Sequence, residues 1–512
     1  MAFRAGFKEV SLSLIVTLFF CVTGYLAPCF HLAGEKYILL VCIAVFSIII
    51  AAGKPMVIRD EGLFVLLLGY VFMNSWLHDS IQTPLTAWKW LAAAIAYLCG
   101  RCFCGKHSLI AGVLVIPALL QSIVVLLQAL SLLPSLSFFF PVSGTFGNPA
   151  VPAVIIALGF TELLSIAHRR WAMLSFPIKL IIIVVGLLLS STIVICNNRS
   201  CWFAVIVVVC IVFSRPYLRH ARARLLILCG FFLVLWCLYL ERPGSANVRF
   251  LIWRSSMYLF TDHPVFGGGS TSFAAEYMLG QASYFTHHPD SPLVMLANEH
   301  NQPYNELMRL LCEQGLLGTI LFAAALLTRM KSSVICPLGL VTFITISFFY
   351  NPSDVIILFL LFWLLVGSLD VRPLTSKKKN TMRFLWPVTF AGVALACVFC
   401  AFNEEYMDSS RWESNYPSYH GVCKKGDDYV KQERYEEAET CYKLACAMIP
   451  CRITAPYRLY KLYEVQNSVK ALEWGDHILN EMQFSITSGQ TLQMKADIRD
   501  GMRRLRCEAM RE

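Results

Sequence analysis

Residues 298–318 read NEHNQPYNELMRLLCEQGLLG, and the apolar run TILFAAALL follows directly. A histidine, asparagines, glutamates and an arginine fill the opening turns of a segment that ends as a hydrophobic helix. Polar and ionisable groups at bilayer depth are costly, so their persistence over about four turns needs a reason. Either a soluble amphipathic stretch happens to precede an apolar one, or the segment is a site at the end of a membrane span. The rest of the chain decides between them.

The 512 residues are 57% hydrophobic and 15% charged, against about 25% charged in soluble domains. The apolar residues come in blocks, near 10–30, 36–53, 62–78, 84–100, 108–131, 150–168, 177–196, 200–214, 224–240, 315–328, 334–350, 355–369 and 384–402. Most are long enough to cross a hydrocarbon layer of about 30 Å as a helix, and 200–214 and 315–328 need their flanks. Continuous runs exclude a β-barrel, which alternates. The expected fold is all-α: a polytopic membrane protein of about thirteen spans, followed by a separate C-terminal helical domain.

Charge tests this map independently, because Lys and Arg concentrate in cytoplasmic loops. With a cytoplasmic N-terminus (Arg4, Lys8), those loops carry Lys54 and Arg59; Arg101 and Lys106; Arg169, Arg170 and Lys179; Arg215, Arg219, Arg222 and Arg224; Arg329 and Lys331; and Arg372, Lys377 to Lys379 and Arg383. That is 20 of the 27 Lys and Arg residues before position 403. An odd number of spans places the tail outside, in the periplasm of a Gram-negative cell. The net charge of +10 is then mostly an orientation signal and gives no support to nucleic-acid binding. The 20 cysteines are spread over the membrane domain and the tail.

Two outer segments break the pattern of short loops. Residues 241–304 form a loop within the membrane domain, 1–402, and residues 403–512 form the tail. Long connections tend to carry function. In the tail, VCKKGDDYVKQERYEEAETCYKLACAMIP (422–450) sets Gly426, Ala438, Tyr442, Ala445 and Pro450 at the spacing of a tetratricopeptide unit. A second, more degenerate unit follows around Leu459, Tyr463, Ala471 and Leu472, and helices near 489–510 are expected to complete the core.

Seven basic residues before position 403 fall on the outer side: Lys36, Lys89, Arg199, Arg242, Arg249, Arg254 and Arg309. Lys36 and Arg242 adjoin Glu35 and Glu241, as solvated loops allow. Lys89 lies between Trp88 and Trp90, where it either snorkels to the interface or serves a site. Arg199 sits in NNRSCW, a tight outer turn. Arg249 and Trp253 share a face of an expected interfacial helix, with Arg254 about 100° away. The arginines either hold lipid headgroups or converge on a lipid pyrophosphate, whose oxygens suit the guanidinium fork.

GTFGNPAVPA (144–153) breaks the chain just before a span, and DHPVFGGGSTSF (262–273) ends the interfacial helix in a proline and three glycines. The latter is no Walker motif and reads first as a turn. His287, His288, Asp290 and His300 match no metal-ligand spacing, so neither metal nor cofactor is expected. In the opening segment, a helix from about Tyr304 would set Arg309 between Glu306 and Glu313 on a self-neutralised face. His300 precedes it, and an imidazole there can take a proton from a hydroxyl.

The order GTFGNPA, NRSCW, RFLIW with DHPVFGGGSTSF, then EHNQPYNELMRLLCEQGLLG resembles the O-antigen ligase and polymerase superfamily over roughly residues 140–330. Gln302-Pro303 stands where relatives carry an aromatic or small residue after His-Asn. The resemblance implies a C-type membrane glycosyltransferase that draws a glycan from an undecaprenyl-pyrophosphate carrier in the periplasm. It also implies inversion without a metal, His300 as the group that activates the acceptor hydroxyl, and Arg199 and Arg249 as pyrophosphate ligands. Arg254 and Lys89 are added as candidate substrate contacts from their placement. A ligase would deliver the glycan to lipid A-core, a protein or another acceptor, and the tail could recruit a protein partner. A polymerase joining lipid-linked repeat units is the alternative within the fold, and a lipid-linked glycan transporter is the alternative from another class.

Overall fold

The computed structural model describes residues 62–78, 83–104, 107–214, 229–333 apart from 231, 235 and 238, 337–369, and 417–509 apart from 467, 486 and 487. Among them every regular element is a helix, and there is no strand. The chain order is α1 (Gly62–Leu77), α2 (Thr83–Cys102), α3 (His107–Ala129), α4 (Ala150–Arg170), α5 (Phe176–Ile195), α6 (Arg199–Ser214), α7 (Pro243–Asp262) and α8 (Ser272–His287). Then come α9 (Glu306–Ser332), α10 (Leu338–Ser347), α11 (Ile356–Ser368), α12 (Tyr419–Lys431), α13 (Tyr435–Met448), α14 (Thr454–Gln466), α15 (Ser468–Asn480) and α16 (Gly489–Ala509).

Among the described residues four stretches are long and apolar enough to cross a membrane: Leu109–Ala129, Ala150–Met173, Phe176–Ile195 and Glu306–Lys331. The shorter apolar helices include α1, α10, α11 and Arg199–Val212 of α6. The expected spans 334–350 and 355–369 are thus short helices, separated where Pro352 and its neighbours form a turn of 3-10 helix. The expected spans 10–30, 36–53 and 384–402, and Arg4, Lys8, Lys36, Lys54, Arg59, Lys106, Arg215 to Arg224 and Arg372 to Arg383, lie outside the described residues.

The chain divides into two compact units. The first holds residues up to Glu241, Tyr304–Leu307 and Gly318–Phe402. Its core is apolar, yet large apolar groups such as Phe176, Leu187 and Ile206 are exposed, while Gln121, Ser122, Thr161 and Thr192 are buried. Helix α4 is 72% buried over its apolar window and α5 only 17%, so α4 is central and α5 is a lipid-facing wall. Helices α2 and α11 touch through backbone, because a Cβ at Gly100 would strike the Leu364 carbonyl and one at Gly367 the Tyr97 carbonyl. Arg101 and Arg329, assigned above to cytoplasmic loops, are buried: Arg101 Nη1 donates to the Leu369 carbonyl at 3.2 Å, and Arg329 Nε to the Tyr97 hydroxyl at 2.9 Å.

The GTFGNPA break belongs to this unit. Helix α3 presents Gln121 and Gln128, seven residues apart and hence on one face. Gln128 Oε1 accepts from the amides of Ser143 (3.0 Å) and Gly144 (2.8 Å), and its Nε2 donates to the Gly144 carbonyl at 2.9 Å. Gln121 exchanges hydrogen bonds with the Thr145 side chain (2.7 Å) and amide (3.2 Å). Non-helical backbone inside a membrane protein persists only where protein satisfies it, and these two side chains do so.

The second unit gathers Arg242–Pro303, Met308–Leu317 and the tail. Tail helices α12 to α16 stack pairwise; Gly426 meets the Tyr442 ring, and Ala438, Tyr442 and Ala445 are buried. The helix expected near 489–510 is α16, whose Ile498 and Met502 enter the tail core.

Helix α9 is interrupted inside this unit. Gly315 adopts φ 64°, ψ −171°, in the region that L side chains avoid. The break releases carbonyls behind it and amides ahead of it, and DHPVFGGG answers both. Gly268 and Gly269 amides donate to the Cys312 and Glu313 carbonyls at 2.9 and 3.0 Å, and the Leu316 and Leu317 amides donate to the Pro264 and Val265 carbonyls at 2.9 and 3.1 Å. The loop glycines therefore let backbone approach backbone: a Cβ at Gly267 (φ +76°) would meet the Glu313 carbonyl. Gly315→Ala should destabilise the protein by about 1–3 kcal/mol through strain at positive φ, whereas Gly112→Ala, with open space around its position, should not. Thermal unfolding in detergent compares the two.

Candidate functional site

The opening segment is not helical from Tyr304. Tyr304 has φ +51°, and α9 begins at Glu306 after Asn305, whose Oδ1 caps the Leu307 amide at 2.9 Å. Within the first unit Asn351 Oδ1 accepts from the Asn305 amide at 3.1 Å, and Glu306 Oε1 from the Ser353 amide at 3.0 Å. Glu306 thus serves the Pro352 turn. Arg309, in the second unit, pairs with Glu313 at 3.4 Å.

His300 lies in the second unit, in the non-helical stretch between α8 and α9. Its imidazole is half-buried and meets the Tyr277 ring edge-on at 6.0 Å. Desolvation lowers its pKa from the ordinary 6.5, so the ring is neutral near pH 7, the state a proton acceptor needs. Tyr277 is itself buried, its hydroxyl donating to Gln281 Oε1 at 2.7 Å, and burial raises its pKa. It is therefore a neutral wall for the histidine.

Helix α7 carries the paired arginines. Trp253, four residues after Arg249, donates from Nε1 to the Pro303 carbonyl at 2.9 Å and so ties α7 to the segment just after His300. Arg249 is partly buried, and Arg254 is exposed with Nη1 3.4 Å from the Tyr284 hydroxyl. Ser255, Ser256, Leu251 and Leu259 form the buried face. The helix thus packs one face into protein and is less freely interfacial than its sequence suggests.

Arg199 and Lys89 belong to the first unit. Arg199 is the first residue of α6, and the turn before it holds Asn197 at φ +50°. Asn198 Oδ1 accepts from the Cys201 amide at 3.2 Å, and Trp202 Nε1 donates to the Ile193 carbonyl at 3.0 Å, so both flanks of Arg199 are fixed. A cation at a helix N-terminus adds to the amides and macrodipole there, a combination that favours an anion. Lys89 Nζ lies 5.0 Å from the Phe359 ring centroid, and Trp90 packs edge-on to the same ring at 5.2 Å.

The candidate histidines do not gather. His287 stacks on Tyr258 at 5.4 Å and His288 lies against Tyr284 at 5.0 Å, whereas His300 faces Tyr277. Among the described residues no three His, Cys, Asp or Glu side chains come together as a metal site. Sequence reasoning missed Tyr277 and Gln281. Both sit in α8, whose small and aromatic residues look like core, and only the buried glutamine in YMLGQ hints at more.

A search of curated proteins gives no match. Residues 153–323 match the family model described as O-Antigen ligase. That stretch takes in α4 to α8 and most of α9, with Arg199, Arg249, Arg254 and His300 inside it and the tail beyond it. A ligase of this kind works at a membrane on a lipid-linked glycan, and the apolar helices α3, α4, α5 and α9 meet that requirement. By this match residues 153–323 carry a domain similar to the O-antigen ligases, in a chain with helices long and apolar enough to cross a membrane.

Proposed function

We propose that the protein is a periplasm-facing glycosyltransferase, most simply an O-antigen ligase, that moves a glycan from undecaprenyl pyrophosphate to an acceptor hydroxyl. The match of residues 153–323 to the ligase family carries this reading. In the proposed reaction His300 takes the acceptor proton, the acceptor oxygen bonds to the anomeric carbon with inversion, and the sugar–phosphate bond breaks. The lipid pyrophosphate leaves with its new negative charge held by cationic side chains, and no metal takes part. Arg199, Arg249, Arg254 and Lys89 are the proposed donor contacts. The acceptor is lipid A-core or another glycan or protein. In this reading thirteen spans in the inner membrane leave the N-terminus in the cytoplasm and a tetratricopeptide-like tail in the periplasm, where it meets a protein partner.

Deleting the gene and separating the cell's lipopolysaccharide on a gel tests the function. A ligase predicts cores without polymeric glycan and accumulation of long lipid-linked chains. Cores bearing one repeat unit mean a polymerase, and an unchanged profile removes both.

Two sets of variants test the residues. His300→Ala should cut transfer by about 10²- to 10⁴-fold, the usual contribution of a general base, with the protein still inserted. Protonation disables a base, and the His300 pKa is lowered from 6.5. The acid limb of kcat/KM should therefore fall below pH 6.5, with activity retained above it. Arg199→Lys keeps the charge but loses the fork, and should lower transfer by about tenfold if two phosphate oxygens are held together. Unchanged transfer would leave Arg199 as a headgroup anchor.

A further inference from the structure

The stretch that carries His300 belongs to no helix, yet three consecutive residues before it are each held by the tail. Cys451 Sγ lies 3.7 Å from the Ala297 carbonyl, Arg452 Nη2 donates to Asn298 Oδ1 at 3.0 Å, and the Tyr419 amide donates to Glu299 Oε1 at 2.8 Å. Behind His300, Tyr277 is fixed through Gln281, whose Nε2 reaches the Met448 carbonyl at 2.7 Å.

These contacts share a logic. Helices α12 and α13 are an antiparallel pair, so the start of α12 and the end of α13 lie at one end of the hairpin. Helix ends carry amides and carbonyls with no partner inside the helix. Tyr419 is the first residue of α12 and Met448 the last of α13. Glu299 takes the amide of one, where the macrodipole also favours a carboxylate. Gln281 takes the carbonyl of the other. Ser418, accepting from the Gly421 amide at 2.9 Å, and Tyr419, whose hydroxyl accepts from the Ala455 amide at 3.0 Å, anchor the same end within the tail.

We infer that Glu299 and Gln281 are positioning residues, through which the open end of the α12–α13 hairpin sets the place of the His300 segment. The inference rests on the proposed role of His300, and it assigns the tail a part in the reaction: it holds the base in register. Reacting groups misplaced by about 1 Å can lose about 100-fold in rate.

Full-length variants in lipid nanodiscs, and the same variants in cells whose own copy is deleted, test this. Glu299→Ala and Gln281→Leu should each lower glycan transfer by about 10- to 100-fold and speed hydrogen exchange of the amides at 298–301. Exchange in α4 and α5 should not change. Glu299→Gln, which keeps the accepting oxygen, should restore both readouts to within a few-fold. Glu299 is exposed, so its replacement leaves the core packing intact even if Gln281→Leu misfolds. Unchanged exchange at 298–301 in Glu299→Ala overturns the inference, whatever His300 does. So does a Glu299→Gln variant as inactive as Glu299→Ala with normal exchange, because Glu299 would then act in the chemistry. Retained transfer in His300→Ala removes the proposed base alone, since the exchange readout is independent of it.

Discussion

Every peptide group taken out of a helix needs a partner where water is scarce, and the strand-like exchange across Gly315 meets that need four times in one place. Residues 264–269 supply two carbonyls and two amides to the interruption in α9. Each such group left unpaired in apolar surroundings would cost several kcal/mol, so the loop and the break require each other. The exchange also fixes where α7 ends relative to α9. From α7, Trp253 reaches Pro303, and the non-helical stretch with His300 is thereby held at both ends.

The same requirement shapes the first unit by other means. There the interruption at 143–150 is answered by side chains, Gln121 and Gln128, and not by a second loop. The difference follows from what lies opposite. A helix presents no spare backbone groups, so only amide side chains can serve, and they must recur at helical spacing to reach one loop. Between α2 and α11, where no interruption needs repair, Gly100 and Gly367 let the backbones touch.

Much of this was legible in the sequence, for identifiable reasons. Apolar blocks report the solvent, so the all-helical, membrane-type character was readable. The motif order led to the ligase family because its residues lie in linear sequence. The tail's Gly426, Ala438 and Tyr442 follow a spacing that packing enforces, and they pack as that spacing says. Tyr304 was misread as helical, because nothing in PYNEL announces a left-handed residue; Asn305 as the cap was the available signal. The glycines of HPVFGGG suggested a turn, which they form, but the partners of Gly268 and Gly269 are the Cys312 and Glu313 carbonyls, more than forty residues away. Glu306 fitted a helical charge pattern and also accepts from an amide in the Pro352 turn. That contact, like the loop's bonds to Cys312 and Glu313, joins segments distant in sequence, which local periodicity does not encode.

Appended helical domains are commonly treated as cassettes, exchangeable because each closes its own core. The tail here closes its core with α16, but the hairpin's entry and exit ends are completed by Glu299 and Gln281, which precede it by more than a hundred residues. The contacts use the backbone amide of Tyr419 and the backbone carbonyl of Met448, so a shift of either helix end is felt at 281 and 299. A chimera that grafts another tail onto this membrane region would inherit helix ends without their caps, unless residues 281 and 297–299 travelled with it.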